Sequence, residues 1–399
     1  MLECVIVGGG IHGTYLVQRL LEDTDLERED VRIVDPNERL LASFRRKAQA
    51  CEMDAMRSTF VHHVGTEPFG LESFAEACGR EDELLPTPGY PRRPSLSLFL
   101  DYAEYVIDGR ELEVLHRRTA VESIDDRAEG ADGIVVETAD GPIRTRSCVL
   151  AIGHGGRYRT PDWADGIDAV THVWDGFDPD ASADETVVVG GGVTAAQLAT
   201  CLADRESVTL LSRRELEEAA IEADPRWINW NHVERHLHRH PPGARARVET
   251  VREARNDATI PPTLFDRLED GGLTVRTDEV RSARAVGDRV RLLLADDGCL
   301  SADRVALATG FDPVFEHPFV DRVADELGLE RGYQGMPVLD DETLAWRRTD
   351  GGRSPVFVTG ALAAGTVGPF AGNVAGARRA ADRIVGSIAA LEAPPLPAD

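Results

Sequence analysis

The chain carries one glycine pattern twice, each time directly after a run of β-branched residues. Gly8-Gly9-Gly10-Ile11-His12-Gly13 follows Cys4-Val5-Ile6-Val7, and Gly190-Gly191-Gly192-Val193-Thr194-Ala195 follows Val187-Val188-Val189. A strand that enters a helix through glycines at this spacing lets the backbone approach a pyrophosphate and directs the helix N-terminus toward its charge. The sequence therefore predicts two dinucleotide-binding units.

The residues that end the second strand of each unit differ. Asp35 stands 22 residues after Gly13, where a carboxylate can accept hydrogen bonds from both hydroxyls of an unphosphorylated ribose. In the second copy Arg213, 18 residues after Ala195, is followed by Arg214, and a guanidinium there can pair with a ribose 2′-phosphate. We therefore expect FAD in the first unit and NADPH, rather than NADH, in the second. A second copy that has lost its cofactor is the alternative.

Two apolar strands that end in small residues mark where the chain crosses between the units. Ala151-Ile152-Gly153 and Thr309-Gly310-Phe311 each end an apolar strand, and the second glycine pattern lies between them. We predict an α/β fold with two Rossmann-like domains, in which the NADPH domain is inserted into the FAD domain and the FAD domain resumes near Arg304. The predicted boundaries are 1–162 and 299–399 for the FAD domain and 163–298 for the NADPH domain.

Local patterns predict further elements. Asp-Gly pairs at 132–133 and 140–141 predict the turns of a small antiparallel β layer, and the proline-rich segment 85–94 predicts an extended loop. A closing helix is predicted from about Asn373 to Leu391. Its N-terminus would stabilise negative charge on a reduced flavin if it faces the ring. The alternative is a glycine-rich turn that only packs the domain.

The net charge of the chain limits the classes of partner that it can bind. The net charge is −26, and Lys47 is the only lysine among 44 basic residues. Such a surface stays hydrated in concentrated salt, so we expect a halophilic protein in a salt-rich cytoplasm; docking on a basic partner is the alternative. The charge disfavours nucleic acid, and no apolar run reaches the length of a membrane span. The six cysteines include no Cys-x-x-Cys pair.

These features together resemble the two-dinucleotide-domain flavoproteins. The resemblance is greatest to the N-hydroxylating class B flavin monooxygenases that act on lysine or ornithine, and to related FAD/NAD(P)-binding oxidoreductases. It spans most of the chain and is carried by the two glycine turns, Ala308-Thr309-Gly310-Phe311, Thr359-Gly360-Ala361, Met56-Arg57-Ser58, Val61-His62-His63 and Pro94 to Phe99. It implies FAD and NADPH as cofactors, with Gly310 and Gly360 among the cofactor-binding residues. Asn373, in the N-terminal turn of the closing helix, is a further cofactor-binding candidate.

The substrate implied by the resemblance is a small molecule. The amine-hydroxylating members position their substrate with lysine and asparagine side chains. In this chain the only lysine is Lys47, in the first half, and Asn229 and Asn231 lie in a comparable segment. The identity of the substrate stays open at this point.

Hydride would pass from NADPH to the flavin and then leave by one of two routes. In the first, dioxygen adds to the reduced flavin and a peroxyflavin oxygenates the small molecule; in the second, a reductase or diaphorase passes electrons to an acceptor. A non-catalytic, flavin-bound redox sensor is the third hypothesis. The candidate catalytic residues are Arg57, His62 and His172, with His63 as a further polar group, and positioning or packing is favoured over proton transfer for each.

A histidine-rich segment raises the question of a metal site. His232 and His236 share a helix face, but Glu234 follows the first of them by two residues. Two residues along a helix rotate a side chain by about 200°, which turns this carboxylate away from the histidine face. We therefore predict no metal site and a solvated or interdomain role for the segment.

Overall fold

The computed structural model describes residues 1–126, 133–256 and 258–392. Asp132 of the predicted turn at 132–133 and the end of the chain, 393–399, lie outside the described residues. No helix in these ranges is both long and apolar enough to cross a membrane.

Strands and helices alternate through much of the described chain. The strands are β1 (Leu2–Val7), β2 (Val31–Asp35), β3 (Leu84–Thr87), β4 (Tyr90–Pro94), β5 (His116–Arg118), β6 (Val121–Asp125), β7 (Ile134–Thr138), β8 (Ile143–Leu150), β9 (Val170–His172), β10 (Glu185–Val189), β11 (Ser207–Ser212), β12 (Glu217–Glu218), β13 (Thr259–Ile260), β14 (Thr274–Thr277), β15 (Val280–Val286), β16 (Arg289–Leu294), β17 (Cys299–Ala302), β18 (Arg304–Leu307), β19 (Ala345–Arg347) and β20 (Arg353–Val358). The helices are α1 (Ile11–Asp23), α2 (Ala42–Ala50), α3 (Gly70–Cys78), α4 (Leu96–Gly109), α5 (Val193–Leu202), α6 (Trp230–His236), α7 (Arg245–Ala254), α8 (Pro262–Asp270), α9 (Pro318–Leu327), α10 (Ala364–Val367) and α11 (Val374–Glu392).

The first sheet contains the first glycine turn. Its strand order is β19-β20-β8-β1-β2-β5, and β1 runs parallel to both β2 and β8. The predicted small antiparallel layer is confirmed, because β6, β7 and β8 pair antiparallel in succession. Helices α1 and α11 pack against each other, and an ion pair of 2.9 Å between Arg19 and Asp382 joins them at the surface. Their buried apolar residues belong to the same core as those of β1 and β8.

The second sheet contains the second glycine turn. Its order is β14-β11-β10-β18-β9, and all neighbouring strands are parallel. Buried residues of α5 and α8 form one core with Val188 of β10, whereas the antiparallel strands β15, β16 and β17 form a separate core with Val187. Because side chains alternate along a strand, the two neighbours face opposite sides of the sheet. The strands of this sheet lie between β8 and β19 in the chain, which confirms the predicted insertion.

One expectation about the boundary is wrong. We expected the first unit to resume near Arg304, but the strand that starts there, β18, pairs with β10 and β9 of the second sheet. The chain therefore returns to the first unit after this strand. An apolar run such as Val305 to Ala308 suits the centre of either sheet, and only its pairing partner decides where it lies.

The proline-rich segment is also more regular than predicted. Residues 85–94 were expected to form an extended loop, and instead β3 and β4 pair antiparallel, with Leu84 opposite Pro94. Gly89, with a φ of +75°, lies between the strands. Because proline cannot donate a hydrogen bond, an isolated two-stranded pair with open edges can accommodate it where a central strand cannot.

Part of the predicted second domain packs on the first unit instead. The guanidinium of Arg247 in α7 is fully buried and donates to both carboxylate oxygens of Asp341, at 2.6 and 2.7 Å. It also donates to the carbonyl of Gly365 in α10. The backbone N–H of Tyr333 donates to the carbonyl of Gly243 at 2.8 Å. The segment around α6 and α7 thus forms a helical layer against the C-terminal part of the first unit, which a sequence pattern without long-range contacts did not indicate.

Candidate functional site

The first glycine turn is closely packed on one side and open on the other. Gly8 has a φ of +115°, and a Cβ atom there would lie 2.4 Å from the carbonyl oxygen of Ala151, at the start of the segment that leaves β8. A Cβ on Gly13 would lie 2.0 Å from the carbonyl oxygen of Gly8. At Gly10, which precedes α1, no atom lies within 4 Å of the corresponding position. The turn therefore leaves free space where a phosphate can approach the helix N-terminus.

Asp35 lies beside this turn at the end of β2. One carboxylate oxygen accepts a hydrogen bond of 2.7 Å from the backbone N–H of Gly9, and the other accepts bonds from Asn37. A carboxylate offers about four acceptor positions, so Asp35 retains capacity for ribose hydroxyls. The N–H bond from Gly9 fixes the carboxylate relative to the glycine turn.

Three separate segments meet at the N-terminus of α1. Nδ1 of His12 lies 2.8 Å from the hydroxyl of Thr359, next to Gly360, and its Nε2 is buried without a hydrogen-bond partner. Burial lowers the pKa of His12 to about 4, against the opposing effect of the nearby backbone of Asn373 and Gly372. Gly360 has a φ of +76° and open space on its Cβ side. The free space at Gly10 and Gly360, together with Nε2 of His12, fits a dinucleotide such as FAD bound across this turn.

The second glycine turn repeats the packing of the first. Gly190 has a φ of +157°, and a Cβ there would lie 2.5 Å from the carbonyl oxygen of Ala308, which leaves β18 as Ala151 leaves β8. The small side chain of Ala195 lies beneath Gly190, and a Cβ on Gly192 would meet nothing nearer than 3.8 Å. A cavity of about 780 Å³ opens over this turn. Its volume suits a dinucleotide.

The strand register identifies Ser212 as the counterpart of Asp35. Asp35 is the residue after Val34, which pairs with the last residue of β1, and Ser212 is the residue after Leu211, which pairs with the last residue of β10. The Ser212 side chain lies against Gly191 as Asp35 lies against Gly9. Sequence reasoning considered the basic pair after this position and missed the serine. The sequence does contain this difference, because the second strand of the first unit ends in an acid and that of the second unit ends in a serine.

The walls of the cavity mix charges of both signs. The arginines that line it are Arg57, Arg159, Arg213, Arg214 and Arg255, and the acidic residues are Glu215, Glu217, Glu222, Asp278 and Glu279. The cavity has as many arginines as acidic residues, whereas the whole chain has 70 acidic residues and 44 lysines and arginines. Arg213 and Arg214 are exposed and follow Ser212 directly. The cavity is therefore less negative than the average surface and can admit a phosphorylated ligand.

Arg57 joins the two units at the wall of this cavity. Its guanidinium donates to the carbonyls of Ala219 and Ala220, and to the carbonyl and the hydroxyl of Thr259. Burial lowers the pKa of Arg57 from its ordinary value. These bonds hold the segments containing β12 and β13 against the first unit.

His172 belongs to an aromatic cluster between the units. Its ring stacks on Tyr158 with centroids 4.8 Å apart, and Nδ1 accepts a hydrogen bond from the backbone N–H of Trp174. Trp174 stacks on Phe311 at 4.8 Å, and both rings line the large cavity. Burial lowers the pKa of His172, and its Nε2 has no hydrogen-bond partner. The cluster was not predicted because its rings come from segments far apart in the sequence.

His62 and His63 lie elsewhere, near α4 and α11. Burial, together with the Arg378 guanidinium, lowers the pKa of His62 to about 4 and that of His63 to about 3. Nδ1 of His63 accepts from the backbone N–H of Gly65, and its ring meets Tyr102 edge-on with centroids 5.0 Å apart. The candidate catalytic residues therefore occupy three environments rather than one cluster.

The asparagines of the histidine-rich segment face the surface. Asn229 caps α6, because its side-chain oxygen accepts the backbone N–H of Asn231 at 2.9 Å. Both line a shallow cavity of about 280 Å³ and neither lines the large one. The rings of His232 and His236 lie 4.2 Å apart. Within the described ranges, no group of three or more potential ligands could hold a metal ion.

We predict that alanine mainly affects folding at Gly8 and mainly affects FAD binding at Gly10. Gly8→Ala places a methyl group against the Ala151 carbonyl at a strained φ and should prevent stable folding. Gly10→Ala meets no protein atom, so it should cost less than about 1 kcal/mol of stability while weakening FAD binding. Thermal unfolding and FAD titration measure the two effects. Normal FAD affinity in Gly10→Ala would show that no ligand approaches this position.

Two family models match the chain. A model of FAD-NAD(P)-binding proteins matches residues 5–155, and a model of pyridine nucleotide-disulphide oxidoreductases matches residues 81–255. A search of curated protein sequences gives no match. The first description names FAD and NAD(P), the two kinds of cofactor predicted from the glycine turns, and the second names an oxidoreductase of pyridine nucleotides.

Solved structures share the fold over almost the whole chain. The ornithine N-hydroxylase of Kutzneria sp. 744 has a TM-score of 0.77 at 18% identity and covers 98% of this chain and 100% of its own. L-lysine 6-monooxygenase from Pseudomonas syringae has a TM-score of 0.75 at 18% identity, with the same coverage. Bacillithiol disulfide reductase from Bacillus cereus reaches 0.64 at 16% identity, covering 98% of this chain and 99% of its own. The chain therefore has the FAD/NAD(P)-binding domains of an oxidoreductase, arranged in the fold of the flavin-dependent N-hydroxylases.

Proposed function

We propose that this protein is an NADPH-dependent flavoprotein monooxygenase that acts on a small molecule. The observation that carries the proposal is the pair of equivalent turns, each open toward a ligand and each followed by a strand with a different final residue, Asp35 or Ser212. FAD, when bound, would accept hydride from NADPH and deliver electrons to dioxygen. The chain supplies binding, orientation and exclusion of water.

The first turn would hold FAD. Gly8, Gly10 and Gly13 provide the close backbone approach, and Asp35 would accept hydrogen bonds from the adenosine ribose. Gly360 and Asn373 would lie along the flavin half of the cofactor, because the Gly360 turn and the start of α11 adjoin the N-terminus of α1.

The second turn would hold NADPH. Gly190, Gly192 and Ala195 shape the pyrophosphate site. Ser212 carries no charge where a carboxylate would repel a 2′-phosphate, and the exposed guanidiniums of Arg213 and Arg214 follow it. These features support NADPH over NADH.

The two crossovers would bring the reactive ends of the cofactors together. Tyr158 and Phe311 form an antiparallel bridge, and the backbone N–H of Arg159 donates to the carbonyl of Gly310 at 3.0 Å. One crossover leaves β8 and the other leaves β18, each on the side of its glycine turn opposite the ribose-reading residue. A dinucleotide that starts at Asp35 or Ser212 and passes its glycine turn is therefore directed toward this junction.

Two observations favour oxygenation over transfer of electrons to a disulfide. No disulfide joins any of the six cysteines, all of which lie in the described part of the chain, so no internal disulfide is present there to relay electrons. The N-hydroxylases also give higher TM-scores than the bacillithiol disulfide reductase, 0.77 and 0.75 against 0.64. Lys47, Asn229 and Asn231 do not line the large cavity, so we do not extend the ornithine or lysine substrates of those enzymes to this chain.

The candidate catalytic residues would position groups rather than transfer protons. The donors of Arg57 are engaged by backbone and hydroxyl oxygens of the second unit. A pKa of about 4 keeps His62 neutral and weakly basic at neutral pH, and burial lowers the pKa of His172 in the same direction. General acid-base catalysis works best with a pKa near the operating pH.

Arg213→Ala should weaken NADPH binding about ten- to a hundredfold and change NADH binding less than about twofold. The reason is the loss of a charge-assisted contact to the 2′-phosphate, worth about 1.5–3 kcal/mol. Dissociation constants of both nucleotides, measured by titration of the FAD-loaded protein, provide the check. Equal losses for NADPH and NADH would assign Arg213 a structural role.

The route of the electrons can be followed by rapid mixing. FAD-loaded protein should be bleached by NADPH, and on mixing with dioxygen it should pass through an absorbing species distinct from both reduced and oxidised flavin. Direct return to the oxidised spectrum would support the reductase or diaphorase instead. If neither NADPH nor NADH bleaches the flavin, the redox sensor is the remaining hypothesis. Hydrogen peroxide released without substrate and suppressed with it would add evidence for oxygenation.

We further propose that the enzyme works in a salt-rich cytoplasm. The absence of disulfides among the cysteines of the described residues suits a reducing compartment, and a net charge of −26 destabilises the folded chain by self-repulsion unless salt screens it. The midpoint of thermal unfolding should rise by several degrees between 0.1 and 2 M KCl. A midpoint that stays constant or falls over this range would contradict the adaptation to salt.

A further inference from the structure

The only lysine of the chain lies in a cage of three aromatic rings. Nζ of Lys47, in α2, lies 5.6 Å from the ring centroid of Tyr158, 5.9 Å from that of Trp174 and 5.3 Å from that of Phe311. All three distances fall within the range of about 6 Å over which a cation is attracted to a ring face. The ammonium of Lys47 therefore lies within cation–π distance of all three rings.

The cage connects three parts of the molecule. Lys47 belongs to the first unit, Tyr158 and Phe311 lie on the two crossovers, and Trp174 follows β9 of the second sheet. The indole N–H of Trp174 donates to the backbone carbonyl of Lys47 at 3.1 Å, and His154 stacks on Phe311 with centroids 4.0 Å apart. The ammonium thus lies at the junction where both crossovers pass.

Two of the caging rings also face the nucleotide cavity. Trp174 and Phe311 line it, whereas Lys47 does not. In the second sheet β11, which ends at Ser212, and β18 and β9, which precede these rings, lie on opposite sides of β10. A dinucleotide whose adenosine lies at Ser212 and whose pyrophosphate lies at Gly190 has its nicotinamide half on the side of the rings.

Placing the ammonium among the rings removes part of its hydration shell, which disfavours the charged form. Burial, and secondarily the Arg46 guanidinium, lower the pKa of Lys47 from its ordinary value. Arginine would carry the charge on a larger, planar group, and methionine would keep the length without the charge. In a chain whose other 43 basic residues are arginine, the compact cation stands where a narrow cage must be filled.

We propose that Lys47 is a positioning residue for the nicotinamide half of NADPH, acting through Trp174 and Phe311. Its ammonium holds the two rings as one wall of the cavity, on the side that faces the first unit. This inference rests on the proposed binding of NADPH in the cavity. It assigns a binding role to a residue that lies outside both glycine turns.

The test compares NADP⁺ with adenosine 2′,5′-bisphosphate, which lacks the nicotinamide half. In FAD-loaded protein, Lys47→Met should raise the dissociation constant of NADP⁺ about three- to tenfold and leave that of the bisphosphate within about twofold. Lys47→Arg, which keeps the charge, should fall between wild type and Lys47→Met. Arg245→Met is the matched control, because Arg245 lies 5.6 Å from the ring centroid of Tyr333, away from the cavity, and its loss should change neither constant.

A second measurement uses the fact that Lys47 and the N-terminus are the only primary amines of the chain. Reductive methylation with ¹³C-formaldehyde should give a dimethyl-lysine NMR signal displaced by the ring currents of the cage. The signal should move on addition of NADP⁺ and not on addition of adenosine 2′,5′-bisphosphate. A signal at the position of an exposed lysine would overturn the cage.

The outcomes separate this inference from the proposed function. If wild type binds neither NADP⁺ nor the bisphosphate, the NADPH site itself is wrong, and the role of Lys47 is wrong with it. If wild type binds NADP⁺ and Lys47→Met binds it equally well, only the role of Lys47 is overturned. Equal weakening of both ligands in Lys47→Met would assign it a general structural role and also overturn the inference.

Discussion

The close approach of a strand-following glycine to the carbonyl of a neighbouring crossover underlies the whole arrangement. Gly8 packs against Ala151 and Gly190 against Ala308, with so little space that a side chain at either glycine would collide with the backbone. This contact lets each crossover leave its sheet directly beside the glycine turn. In the proposed binding mode, the residues that follow it, Gly153 in one case and Gly310 in the other, would be available to the half of the dinucleotide remote from the adenosine ribose.

The two units are joined by specific polar and aromatic contacts rather than by a flexible linker alone. The bonds from Arg57 to Ala219, Ala220 and Thr259 cross the junction at the cavity wall. On another side Arg267 pairs with Asp54 at 2.7 Å. Such contacts fix the relative position of the two turns, and the proposed hydride transfer would require that positioning because reacting atoms must come within about 3–3.5 Å.

Charge is distributed unevenly in the molecule. The chain as a whole is strongly acidic, yet the cavity carries as many arginines as acidic residues. A dinucleotide phosphate that enters from the negative surface therefore meets less net negative charge in the cavity, where arginines balance the acidic residues. His12 and His62 contribute no positive charge at neutral pH, since burial lowers the pKa of each to about 4.

Much of the fold and part of the candidate site could be predicted from the local sequence. The β-branched runs, the glycine spacings and Asp35 predicted both turns and the insertion of one unit in the other, because a strand, a tight turn and a helix are decided by neighbouring residues. The same information could not assign the strand at Arg304 to its sheet, since an apolar strand suits either one. The pairing of β3 with β4 was likewise hidden by prolines that suit a loop equally well.

The sequence by itself determined that there are two glycine turns, that the second strand of one unit ends in an acid while two arginines follow that of the other, and that Lys47 is the only lysine. Only the tertiary structure decided that the candidate residues Arg57, His62 and His172 lie in separate environments, and that Lys47 meets rings from three distant segments. The physical reason is that turns depend on local backbone geometry, whereas a cage or a cavity wall depends on distances between residues that are far apart in the chain.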